Sequence, residues 1–89
     1  MEKAIIINVK PEGYEVYLKN GEAVSTFKSD KVKGTFEQMV KESERLGFKG
    51  KSRVYIHYWE DNAIVKRHLY GLSDVYASVA MVNDWRESR

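Results

Sequence analysis

Arg53-Val54-Tyr55-Ile56-His57-Tyr58-Trp59-Glu60-Asp61-Asn62-Ala63-Ile64-Val65-Lys66-Arg67-His68-Leu69-Tyr70 reads as a β-hairpin turning at Asp61-Asn62. With those two residues as the loop, Trp59 faces Ile64, His57 faces Lys66, Tyr55 faces His68 and Arg53 faces Tyr70. Directly opposed residues share a face of the sheet. One face then carries aromatic and apolar groups, two histidines and two cations. The other carries Val54, Ile56, Tyr58, Val65 and Leu69, with Arg67 as a misfit, and reads as core. The first face is either a binding surface or the underside of a helix.

Working outward, Ala4–Val9 is a strand by its β-branched content, apolar on both faces and therefore central in its sheet. Pro11-Glu12-Gly13 turns the chain. From Tyr14 to Lys19 the residues alternate, with Tyr14, Val16 and Leu18 inward. Asn20-Gly21 is a strong hairpin signal, and as a two-residue loop it pairs Leu18 with Ala23, Val16 with Ser25 and Tyr14 with Phe27. Thr35 starts a helix with Gln38 as its capping-box partner, and Gly47 stops it, with Phe48 closing behind. After Gly71, Ser73 caps a second helix whose stripe is Val75, Val79 and Val82, broadened by Tyr76, Met81 and Trp85.

The element order is βββαββα in one domain spanning residues 1–89. The expected fold is α+β, a mostly antiparallel five-stranded sheet with both helices on one face; one joined sheet and two separate hairpin sheets both fit the pattern. The expected core is Ile5, Ile7, Tyr14, Val16, Leu18, Phe27, Phe36, Met39, Val40, Leu46, Val54, Ile56, Leu69, Val75, Val79 and Val82.

Bulk properties narrow the function. A chain of 89 residues builds one modest core and no deep enclosed cavity. It has no cysteine, which excludes a disulfide framework and thiolate metal sites and points to a reducing, cytoplasmic setting. No apolar run approaches the ~20 residues that span a bilayer, and neither helix pairs a basic face with a bulky apolar one, so no membrane role is expected. Net charge is +2, but residues 28–53 hold eight cations and four anions, a net +4, while the segments on either side are each −1. A basic zone of this kind favours an anionic partner.

Nucleic-acid binding is the favoured reading. Tyr55, Trp59 and Tyr70 are suited to stacking on bases, with His57 among them. Arg53, Lys66, Lys49 and Lys51 are placed for phosphates. The alternative is a protein-interaction module, a homodimer or an inhibitor docking on a larger assembly, using Tyr17, Met81 and Trp85. An enzyme is not expected. His57 and His68 fall on one hairpin face but lack the third ligand a metal site needs. Gly47-Phe48-Lys49-Gly50-Lys51-Ser52 ends in Gly-Lys-Ser without P-loop spacing and follows a helix, not a strand. No catalytic residue, metal, cofactor or small-molecule substrate is predicted.

Overall fold

In a computed structural model, which describes residues 2–89, the chain forms β1 (Lys3–Lys10), β2 (Gly13–Asn20), β3 (Ala23–Ser29), α1 (Val32–Arg45), β4 (Arg53–Glu60), β5 (Ala63–Gly71), a 3-10 helix (Leu72–Ser78) and α2 (Val79–Glu87). The fold is α+β with the expected element order. The two hairpins join in one mixed sheet of order β3-β2-β1-β4-β5, antiparallel except at its centre. There β1 runs parallel to β4, with Ile6 beside Tyr55 and Asn8 beside His57. The strand that is apolar on both faces is the central one.

Alternation places Ile5, Ile7 and Val9 of β1, Tyr14, Val16 and Leu18 of β2, and Val54, Ile56 and Tyr58 of β4 on one face, all buried. Phe36 and Met39 of α1, Phe48 behind it, Leu72 and Val75 of the 3-10 helix, and Val82 of α2 close over them. Both helices lie on this face: α1 against β2 and β3, α2 against β1, and the 3-10 helix against β4 and β5. Phe27, Val40, Leu46, Val79 and Trp85 pack partly buried around the rim.

Four local features differ from the sequence expectation. The β2–β3 hairpin turns at Gly21-Glu22, one residue later than predicted, so Leu18 pairs with Ser25, Val16 with Phe27 and Tyr14 with Ser29. Asn20 ends the strand because its side-chain amide is drawn aside, donating to the Leu46 carbonyl at the end of α1 (2.7 Å); Gly21 then takes the positive φ of 64°. The slip is by two residues, so the faces are preserved. α1 starts at Val32, and Thr35 is not its cap: it lies buried inside the helix, donating from Oγ1 to the Lys31 carbonyl at 2.6 Å. The C-terminus of α1 is as expected, with Gly47 at φ 86°, its N–H on the Glu44 carbonyl and the Phe48 N–H on the Ser43 carbonyl. The second helix opens as a 3-10 segment in which Ser73 makes no side-chain cap.

The fourth difference matters most. The β4–β5 turn is Asp61-Asn62, both at positive φ, and Trp59 pairs with Ile64 as predicted. A β-bulge then places Val65 opposite no β4 residue, so Tyr58 pairs with Lys66, His57 with Arg67, Ile56 with His68, Tyr55 with Leu69 and Val54 with Tyr70. One extra residue exchanges the faces of the rest of β5. Leu69 leaves the core and is 52% exposed, as is Val65. Lys66, His68 and Tyr70 pass to the helix side. Arg67, the apparent misfit, is on the open side.

Candidate nucleic-acid interface

The face of the sheet opposite the helices is uncovered. Cross-strand registers align its side chains in rows. Thr26, Tyr17, Ile6, Tyr55 and Leu69 form one row across all five strands. Lys28, Glu15, Asn8, His57 and Arg67 form the next. At neighbouring-strand spacings of ~4.8 Å each row is roughly 19 Å long. The first row is aromatic and aliphatic apart from Thr26 at its β3 end. The second is polar and has a cation at each end.

Trp59 extends the surface beyond the second row. Its indole Nε1 donates to Asn8 Oδ1 at 2.8 Å, and Lys10 Nζ lies 5.6 Å from the ring centroid. The ring is therefore held against β1. Tyr55 and His57, two residues apart on β4, have ring centroids 6.4 Å apart. Tyr55 is 37% exposed, so its ring is available.

Electrostatics favour anions. Glu15 is held by Lys10 Nζ at 2.8 Å, and that bond pulls its carboxyl below the ordinary range. Lys19 is bridged to Glu2 at 3.1 Å, which raises its pKa. Lys28, Arg53 and Arg67 form no ion pair among the described residues. Partial burial, helped by the Arg67 charge, lowers the pKa of His57 and keeps it neutral at pH 7. The face thus presents free positive charge beside aromatic rings.

Of the residues predicted for nucleic acid, Arg53, Tyr55, His57 and Trp59 share this face, and Lys51 lines a cleft at its end with Arg53 and Tyr55. Lys49 sits in the adjoining loop, its backbone N–H on Ser52 Oγ. Lys66 and Tyr70 do not join them. Lys66 Nζ lies 5.6 Å over the Tyr58 ring, and Tyr70 packs against the core. His68 meets Tyr58 edge-on, with Nδ1 at 3.4 Å from the tyrosine hydroxyl, so the two histidines stand on opposite faces and share no ligand. No group of three or more metal-ligating side chains occurs among the described residues.

Burial pushes the Tyr58 hydroxyl up to about 12, and burial also lowers His68. Of the residues predicted for a protein interface, Tyr17 is on the open face. Trp85 packs on Tyr58 at 5.1 Å and carries the Arg89 guanidinium 4.4 Å above its ring, so it seals the core of its own chain. Met81 is half-buried on the same helix, across the sheet from Tyr17. Sequence reasoning missed Arg67, Lys28 and Lys10. A Val-Lys-Arg run carries no mark of a bulge, and only the joined sheet brings β3 and β5 onto one surface.

The chain matches no family model, no curated protein and no solved structure. No helix of the described residues is long and apolar enough to cross a membrane.

Proposed function

We propose that this is a non-enzymatic binding protein whose open sheet face takes single-stranded nucleic acid. One observation carries the reading: an uncovered row of Tyr17, Ile6, Tyr55 and Leu69 runs alongside a row ended by Lys28 and Arg67. Bases stack on flat rings whatever their sequence, and cations beside the rings neutralise the backbone. A face of this breadth suits splayed bases better than the closed stack of a duplex.

The test is a titration of labelled single-stranded and double-stranded oligonucleotides at low and moderate salt, read by anisotropy and tryptophan emission. Single strands are expected to bind more tightly, with a log–log salt slope of about 0.7 per phosphate contacted. Trp59→Leu and Tyr55→Leu should each weaken binding by about 1–3 kcal/mol, whereas Tyr76→Leu, on the helical side, should not. Absence of binding at low salt overturns the proposal.

A protein partner is the second reading, favoured by Leu69 and Val65, each about half exposed on the free β5 edge. Concentration-dependent size, or salt-insensitive association with another protein, would support it.

A further inference from the structure

At the end of the open face, where β1 and β4 both begin, lies a cleft of about 250 Å³. Lys3 and Ala4 of β1, Phe48 and Lys51 of the connection before β4, and Arg53 and Tyr55 of β4 line it. Three of its seven lining residues are cations and none is acidic. The loop that carries Lys51 is anchored on both sides. Ser52 N–H bonds to the Lys49 carbonyl at 2.9 Å, while Ser73 N–H and Leu72 N–H reach back to Gly50 and Ser52 carbonyls at 3.1 and 2.7 Å. Its backbone is therefore set before any ligand arrives, which limits the entropy lost on binding.

We infer that this cleft is a single-nucleotide subsite, with a base on the Tyr55 ring and its phosphate among Lys3, Lys51 and Arg53. The inference rests on the reading of the open face as a nucleic-acid surface and assigns one end of it. Arg53 supplies a planar fork that matches two phosphate oxygens, and the lysines supply point charge. Tyr55 is the aromatic member of the first row that lines the cleft, so a nucleotide seated here places the following bases over Ile6 and Tyr17 or His57. Other clefts differ in kind. The one at the opposite end, beside Trp59, includes Glu12 and Asp61; the one between β2 and β3 includes Glu15.

The test uses the full chain and four probes: a nucleoside monophosphate, the same nucleoside, inorganic phosphate, and a single-stranded oligonucleotide. Backbone amide shifts are followed by NMR up to about 10 mM ligand, the range of millimolar affinities. The monophosphate should saturate, moving the amides of Lys3, Ala4 and Lys51–Tyr55. The nucleoside and inorganic phosphate should each bind at least about fivefold more weakly, because each keeps only half of the contacts. Arg53→Gln and Lys51→Gln should each weaken the monophosphate by about fivefold or more, with Lys33→Gln, exposed in the first turn of α1 on the helix side of the sheet, as the unchanged control. Equal binding of inorganic phosphate would mean a simple anion site and overturn the proposal. So would shifts centred elsewhere, or oligonucleotide binding that Arg53→Gln weakens no more than Lys33→Gln. If the oligonucleotide itself fails to bind, the larger reading falls; if it binds and the monophosphate does not, only the subsite falls.

Discussion

The guanidinium of Arg86 lies 4.7 Å over the Tyr14 ring and donates to three backbone carbonyls: Lys10 at 3.1 Å, Pro11 at 3.2 Å and Asp30 at 3.2 Å. One side chain near the C-terminus thereby fastens α2 to the β1–β2 turn and to the short connection before α1. Planarity and five donors make arginine suited to this. Arg86→Ala should cost about 2 kcal/mol, the scale of hydrogen bonds to a charged group. Arg86→Lys should recover less than half, since an ammonium cannot stack and fork together. Urea denaturation measures both; a loss below about 0.5 kcal/mol would show the clamp to be incidental.

Beneath that guanidinium, the Tyr14 hydroxyl is buried and has no hydrogen-bond partner. An unpaired buried hydroxyl is a liability. Tyr14→Phe should therefore be neutral or stabilising by up to about 1 kcal/mol, with the ring stacking intact. A clear loss of stability in denaturant melts would mean that the hydroxyl has a partner in solution.

The Val65 bulge makes a contrast between two aliphatic residues of the second hairpin. Ile56 is fully buried and Leu69 is 52% exposed. Ile56→Ala should cost about 2–5 kcal/mol, while Leu69→Thr should change stability by less than about 0.5 kcal/mol. A regular hairpin would bury Leu69, so a large cost for Leu69→Thr in thermal or urea unfolding would refute the bulged register.

Where a local signal has one physical outcome, the sequence is readable. Gly47 followed by Phe48 closes α1, Asp61-Asn62 turns the second hairpin, and the doubly apolar Ala4–Val9 lies at the sheet centre. The readings that failed lost to tertiary competition. Asn20 looks like a turn residue but is claimed by the Leu46 carbonyl. Thr35 looks like a cap but bonds backward inside the helix. Ile64–Tyr70 contains no strict alternation, so nothing in its composition marks Val65 as the extra residue that carries Lys66 and Tyr70 to the helix side. The β4 part of the open face (Arg53, Tyr55, His57, Trp59) is legible because β4 alternates cleanly. The contribution of β3 and β5 depends on strand order, which residue types do not encode.

His57 and His68 both have pKa values lowered from 6.5, each chiefly by burial, with Arg67 and Lys66 respectively adding to it. The unfolded chain then binds protons that the native state resists. Their contribution to stability is full above 6.5 and is lost as the pH falls from there through the depressed native values. The urea midpoint should fall between about pH 7 and pH 5, and the double variant His57→Gln, His68→Gln should flatten that decline. A midpoint as pH-sensitive in the double variant as in the parent would assign the effect to carboxylates instead.

The parallel seam between β1 and β4 has a kinetic consequence. Ile7 and Ile56 are neighbours in the sheet although a hairpin and a helix separate them in the chain. Every other strand pair closes through a two-residue turn and forms locally. This one must wait for a long loop to close before its burial repays the lost entropy. Until it does, β1 exposes one backbone edge and Ile5, Ile7 and Val9 lack half their cover. The seam is thus the step expected to limit the folding rate, and the moment at which the chain is most open to pairing with another copy of itself.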